Sequence, residues 1–248
     1  MLFEGEHIEY LNKDIGVIVS PTHTFGTDAL LLASFAAPRR TDAAIDLGTG
    51  CGIVPFYWLR EDCENLAALE LQEQAFHQLE RSVKLNRAEE QLKIYHADLR
   101  EFKGILPFGT FDLVTMNPPY KPEGTGILST EGSDKIARHG TVCTLEDVSL
   151  AASRLLRFGG RLAICLRPER LCDAVKAMQR HNIEPKRLRF VAQRPDKAPW
   201  LLLLEGRLGG KSGLQALPEL YIEGEHEGYS EEMRKIIGTY YDGKGGRA

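Results

Sequence analysis

The stretch Ala43-Ala44-Ile45-Asp46-Leu47-Gly48-Thr49-Gly50-Cys51-Gly52 decides the fold of this 248-residue chain. An apolar run ends on an acid, three glycines follow at alternate positions, and a helix-forming segment comes next. The glycines at 48, 50 and 52 suit a turn in which the backbone reverses sharply and lets a ligand approach without a Cβ in the way. The apolar run is short enough for a strand buried on both faces. Working outward, apolar runs at 66–69, 93–96, 112–116 and 161–166 alternate with helical patterns. That rhythm predicts a doubly wound, mostly parallel α/β sheet covered on both sides.

The flanks extend this core. Two further runs, 187–191 and 200–205, are joined by too short a link for a parallel crossover, so the seven-stranded sheet is expected to close with an antiparallel pair. Residues 7–11 and 15–20, around Asn12-Lys13-Asp14, read as a hairpin. Thr27 is placed to cap a helix rich in leucine. Apolar stripes at Ala75, Phe76, Leu79 and Val83, and at Leu145, Val148, Ala152 and Leu155, mark core-facing helices at 72–85 and 145–156. A further helix is expected at 169–181, and Ser230 precedes one at 231–240. The expected organisation is a hairpin-and-helix appendage at 1–40, the α/β domain at 41–210, and an extension at 211–248 packed on the same domain.

Composition excludes several classes. Apolar residues make up 43% and charged residues 27%, ordinary for a globular protein. No apolar run is long enough for a bilayer, and the acidic start does not fit a secretion signal, so a cytoplasmic protein is expected. Five cysteines without C-x-x-C spacing argue against a zinc ribbon or a disulfide framework, and the histidines show no metal-ligand spacing. A net charge of −4 argues against a strongly basic nucleic-acid binder. A basic run remains, with Arg180, Lys186, Arg187, Arg189, Arg194 and Lys197, as a candidate phosphate-tracking patch. The Gly-rich link 121–144 is long enough to be a lid or an RNA contact.

Three acids stand at the ends of successive predicted strands: Asp46, Glu70 and Asp98. Ligands of such sheets bind at the carboxyl ends of the strands, so all three are expected to face one cleft. Glu70 can accept both hydroxyls of a ribose, and Asp98 can accept from an adenine amino group. By itself this pattern suits either a dinucleotide or S-adenosylmethionine (SAM). The next strand ends in Asn117-Pro118-Pro119-Tyr120. Prolines there remove amide donors and leave carbonyl groups facing the cavity. The Asn117 oxygen and the Pro118 carbonyl can then accept both hydrogens of one planar –NH₂ group, and Tyr120 offers a ring face for stacking. A nicotinamide-dependent oxidoreductase shares the glycine turn and the acid after it but has no use for this segment.

Together, Asp46 to Gly52 and Asn117 to Tyr120 resemble motifs I and IV of the class I SAM-dependent amino-methyltransferases, a Rossmann-like fold. The resemblance covers residues 25–207. Within that group, Phe25-Gly26-Thr27-Asp28 and Ala137-Arg138-His139 resemble the bacterial valine-tRNA adenine-N(6) methyltransferases. The resemblance implies a fold, a cofactor and a set of roles. Asp46, Gly48, Thr49, Gly50 and Gly52 would hold the methionine part of SAM, and Thr27 its carboxylate end. Glu70 would take the ribose, Asp98 and Leu99 the adenine ring. Asn117, also a neighbour of the cofactor, would grip the target amine with Pro118, and Tyr120 would stack on the base. It implies methyl transfer to adenine in RNA, a tRNA near its anticodon, giving S-adenosylhomocysteine without a metal. A protein-glutamine methyltransferase is the alternative, because a glutamine carboxamide presents the same –NH₂. A DNA adenine methyltransferase fits less well, since no target-recognition domain is apparent.

Overall fold

The acid and glycines of the deciding stretch form the end of a central strand and the turn beyond it. The computed structural model describes residues 2–118, 143–224 and 228–238. Pro119, Tyr120 and positions 121–142 lie outside the described residues, as do 239–248, so the Tyr120 and Ala137-Arg138-His139 readings and the end of the last predicted helix fall there.

In chain order the elements are β1 (His7–Tyr10), β2 (Gly16–Val19), α1 (Thr27–Ala36), β3 (Ala44–Leu47), α2 (Ile53–Arg60), β4 (Leu66–Glu70), α3 (Glu73–Leu85) and β5 (Leu92–His96). There follow β6 (Phe111–Met116), α4 (Leu145–Leu155), β7 (Leu156–Leu166), α5 (Leu171–Arg180), β8 (Ile183–Ala192) and β9 (Leu201–Leu208). The last described elements are β10 (Gln215–Ala216), β11 (Leu220–Tyr221) and α6 (Glu231–Ile237).

The large sheet runs β10-β8-β9-β7-β6-β3-β4-β5, with β11 also pairing β8. Its seven long strands are those expected from the sequence. β3, β4, β5, β6 and β7 run parallel to one another, and β9 runs antiparallel to both β7 and β8. Thus the last long strand in the chain slots inside the sheet, and its hairpin partner β8 lies beyond it. The two-residue strands β10 and β11 carry no period that sequence could reveal.

Alternation along each strand sorts side chains onto two cores. Ala44, Leu66, Ala68 and Leu113 face one cluster with Leu30, Phe56, Trp58 and Leu79; Ile45, Leu47, Leu69 and Val114 face the other with Val148, Leu155 and Met178. Helices α1, α2 and α3 therefore cover one face, α4 and α5 the other. The terminal segments contribute Val17, Val19, Leu220, Met233 and Ile236 to the first cluster.

Beside its apolar stripe, α3 carries a polar one that anchors the β1–β2 hairpin. Gln78 donates to the carbonyls of Ile18 and His23, and Ser82 accepts from Ile18 N. The helix starts differ from one another. Ser230 caps α6 by accepting from Met233 N, as expected. Thr27, expected as a cap, is instead the first residue of α1, whose N-cap is Gly26 with no side-chain bond. The acid that serves this end is Asp28, which accepts from Ala29 N.

Candidate active site

β3 sits at the reversal of strand order, with β4 and β5 to one side and β6 and β7 to the other. That switch point is where ligands of doubly wound sheets bind. The turn after β3 takes positive φ at Gly48 (+61°), Gly50 (+58°) and Gly52 (+86°). At Gly52, the N-cap of α2, a Cβ would lie 2.5 Å from Leu79 Cδ1, so this glycine serves packing as well as the turn. At Gly50 a Cβ would meet nothing within 4 Å, so the turn is open on its outer side.

Asp46 is buried at 3% exposure and accepts a 2.6 Å hydrogen bond from Thr115 Oγ1 on β6. Burial pushes its carboxyl up to about 7 against the pull of the Thr115 and Thr49 hydroxyls, with the Glu70 charge adding to the rise. Glu70, also 3% exposed, is fixed by two backbone donors: Gly50 N on Oε2 and Gln72 N on Oε1, both at 2.7 Å. The remaining lone pairs of the two oxygens stay available for a pair of hydroxyls. The Thr49 hydroxyl is buried and acts on the Asp46 carboxyl, yet makes no hydrogen bond of good geometry among the described residues. Such a hydroxyl, an open glycine and an oriented carboxylate in one turn fit a bound polar ligand.

Asp98 follows β5 at the same end of the sheet. Its carboxylate is clasped by Arg100 through Nε (3.0 and 3.1 Å) and Nη2 (2.6 Å), and accepts Arg100 N at 2.8 Å. The guanidinium holds the Asp98 carboxyl below its ordinary range. Arg100, which the sequence reading did not single out, is the side chain that holds Asp98. Leu99 is 7% exposed and packs in the second core, leaving little of its side chain to face a ring. Leu71, also missed, is a large apolar side chain 52% exposed immediately after Glu70. An apolar residue directly after a strand-terminal acid was the available signal.

On the other side of β3, Leu47 is paired with Met116 and Asp46 with Thr115. Gly48 and Asn117 are the next residues on these neighbouring strands, which lie about 4.8 Å apart in such a sheet. Were Gly48 to gain a Cβ, it would stand 3.4 Å from Met116 Cε. The glycine turn and the Asn117-Pro118 corner are thus adjacent. Asn117 Nδ2 donates to Asp28 Oδ2 at 3.1 Å, and Cys165 Sγ donates to Asn117 Oδ1 at 3.1 Å. Asp28 entered the sequence reading only within the Phe25-Gly26-Thr27-Asp28 resemblance and Cys165 only as one of the scattered cysteines, because each meets Asn117 from a distant element. Thr27, half-buried, begins α1 beside Asp28, so the N-terminus of α1 also reaches this corner.

Most members of the basic run are engaged in ion pairs. Arg180 pairs with Glu146, Arg187 with Glu205, Arg189 with Glu232, and Arg194 and Lys197 with Asp196, while Lys186 donates to the Lys211 carbonyl. Glu146, Glu205, Glu232 and, for Arg194, Glu223 come from elsewhere in the chain, whereas Asp196 lies within the run and a carbonyl leaves the Lys186 charge uncancelled. Among the described residues no group of three or more His, Cys, Asp or Glu could hold a metal ion, and no helix is long and apolar enough to cross a membrane.

The family model described as Methyltransferase small domain matches residues 11–181, a span holding the glycine turn, Glu70, Asp98 and Asn117. The chain belongs to this family. Like its fellow members of the methyltransferase small domain family, it is a SAM-dependent methyltransferase. Its relatives include a protein from Parabacteroides distasonis named tRNA1(Val) (adenine(37)-N6)-methyltransferase, 26% identical over 225 residues, 87% of this chain and 90% of that one. A protein of the same name from Christiangramia forsetii is 27% identical over 224 residues, again covering 87% and 90%. Among solved structures, one described as a predicted O-methyltransferase from Agrobacterium tumefaciens superposes with a TM-score of 0.69 at 22% identity, covering 85% of this chain and 95% of that one. The geranyl diphosphate C-methyltransferase of Streptomyces coelicolor A3(2), solved with Mg2+, geranyl diphosphate and S-adenosyl-L-homocysteine, gives 0.54 at 13% identity over 73% and 76%. These likenesses show a methyltransferase fold of the Rossmann-like type.

Proposed function

We propose that this methyltransferase acts on the exocyclic amine of adenine in RNA, a tRNA near its anticodon, in the cytoplasm. The observation that carries the reading is the adjacency of the Asn117-Pro118 corner on β6 to the glycine turn on β3, set by the pairing of Met116 with Leu47. The names of the relatives support the RNA substrate. Residues 41–210 form the catalytic unit in this reading, with 1–40 and 211–248 as additions to it.

Bound SAM supplies a methyl group activated by a sulfonium. In the proposed arrangement Asp46 and the turn at Gly48, Thr49, Gly50 and Gly52 hold its amino-acid part, and the N-terminus of α1 at Thr27 faces the carboxylate, where the helix dipole favours an anion. Glu70 takes the ribose hydroxyls and Asp98 with Leu99 the adenine. Asn117 Oδ1 and the Pro118 carbonyl accept the two N–H groups of the target amine. Held so, the nitrogen lone pair leaves conjugation with the ring and points at the methyl carbon, an orienting effect that shortens the path to the transition state. SAM would supply the methyl group to this nitrogen with its C–S bond breaking as the N–C bond forms, and the amine's surplus proton would leave to solvent. Tyr120 is proposed to stack on the base, as aromatic side chains do on unpaired bases.

The test is transfer of labelled methyl from SAM to total tRNA, total protein and DNA taken from cells lacking this gene. Labelled tRNA yielding N6-methyladenine on digestion supports the proposal. Label in protein glutamine or in DNA instead would replace it.

A further inference from the structure

We infer that Asp28 is a positioning residue that fixes which way round the Asn117 amide stands, and so makes the acceptor site select a hydrogen-bond-donating amine. The inference rests on the role given to Asn117 above. An amide has nearly the same shape in its two orientations, differing only in where the oxygen and the –NH₂ point. Nothing in Asn117 itself chooses between them.

Its neighbours do. Asp28 Oδ2 lies 3.1 Å from Asn117 Nδ2, and a carboxylate is an acceptor only. Cys165 Sγ lies 3.1 Å from Asn117 Oδ1, and a thiol hydrogen is a donor. Turned end for end, the amide would set its oxygen against the Asp28 carboxylate and its –NH₂ against the thiol hydrogen. The contact with Asp28 would become repulsive, oxygen against charge, and the thiol, which also accepts weakly, would give up its donor bond. The two clamps are themselves immobile. Cys165 is fully buried in β7. Asp28 is in the first turn of α1, its other oxygen accepts Ala29 N at 3.0 Å, and the helix behind it buries Leu30, Leu31, Leu32 and Ala33 in the core.

The consequence is chemical. An amide oxygen accepts and cannot donate, and in the role given to Asn117 above the target amine is its donor. With the amide reversed, the site would offer N–H to an incoming –NH₂, donor against donor, and the amine would lose the grip that orients its lone pair. Asp28 thus acts on the reaction through Asn117, from an element far away in sequence, without touching the acceptor in this scheme.

The test uses the full chain with unmodified total tRNA and SAM. Asp28→Ala is expected to lower kcat by about 10- to 100-fold, the cost of misplacing a group at the reacting centre, while the Kd for SAM and the KM for tRNA change less than about threefold. The exchange of the pair discriminates orientation from mere support. Asn117→Asp alone sets two carboxylates against each other and is expected to lose most turnover. Adding Asp28→Asn restores one donor facing one acceptor, and the double variant is expected to recover about 10-fold or more over Asn117→Asp alone. Thermal melts of every variant identify any that fails to fold, in which case Asp28→Asn, nearly isosteric, replaces Asp28→Ala. An unchanged kcat in the Asp28 variant, or a parallel loss of SAM affinity, or a double variant no better than Asn117→Asp, overturns the inference. Asn117→Ala run alongside separates the two levels: if it abolishes turnover while the Asp28 results fail, only the positioning role falls. If Asn117→Ala turns over normally, the acceptor site and the positioning role fall together.

Discussion

Replacing Asp46 by Asn is expected to stabilise the ligand-free protein at alkaline pH while weakening its hold on SAM. The cause is the carboxyl's burial, which raises it from an ordinary 3.8 to about 7. In the unfolded chain this group gives up its proton near 3.8, whereas in the fold it keeps it until about 7. Between those values the folded state binds more protons than the unfolded one, so stability falls as pH rises and the deficit is complete above about 7. At 1.36 kcal/mol per pH unit the deficit amounts to roughly 4 kcal/mol. Asn has the same shape, and its carbonyl can still accept from Thr115 Oγ1, so the substitution removes the cost with little other change. The gain should be larger at pH 8 than at pH 5 by roughly 2–3 kcal/mol. A change of 4 kcal/mol corresponds to a rise in Tm of the order of 10 °C at pH 8 for a chain of this size. The variant should also bind SAM at least about 10-fold more weakly, having lost the charge proposed to face a cationic ligand. Melts of both proteins at the two pH values, with calorimetric titration of SAM, measure all of this. A stability difference independent of pH, or a variant less stable at pH 8, would refute the reasoning.

Two glycines of the same turn should fail in different ways. Gly52→Ala adds a Cβ 2.5 Å from Leu79 Cδ1 at a φ of +86° and should cost roughly 2–4 kcal/mol in urea denaturation, from strain and overpacking together. Gly50→Ala projects into open space at a φ of +58°, so it should cost only about 1–2 kcal/mol of stability yet reduce SAM affinity more than about 10-fold by titration. Glu205 is nearly buried and joins Arg161 (2.8 Å) and Arg187 (2.6 Å), so Glu205→Ala should destabilise by roughly 3 kcal/mol in the same denaturation experiment, leaving SAM affinity unchanged.

Much of the frame was legible because it depends on local pattern. The strand-turn-helix at 43–52, the acids at the ends of successive strands and the seven long strands each announce themselves within a few residues. What stayed hidden depends on partners distant in the chain. Thr115 reads as one more β-branched strand residue until β6 is laid beside β3 and its hydroxyl meets Asp46. Asp28 reads as a helix-start acid, and Cys165 as a small core residue, until both converge on Asn117. The same blindness misled in the opposite direction at the basic run. Arg187 and Arg189 look like a cationic stripe, but Glu205 on β9 and Glu232 on α6 neutralise them. Strand insertion was equally unreadable: a short link proves that β8 and β9 pair antiparallel, but not that β9 takes the inner place beside β7.

The account depends on Asn117 gripping the amine that receives the methyl group, and one experiment addresses this directly. Labelled SAM is incubated with unmodified tRNA and either the wild-type chain or Asn117→Ala, the tRNA nucleosides are resolved, and SAM affinity is measured on the same preparations. The expected result is N6-methyladenine from the wild type and a loss of turnover of at least about 100-fold in the variant, with SAM affinity within about threefold. Undiminished transfer by the variant, or loss of turnover matched by an equal loss of SAM affinity, would contradict it.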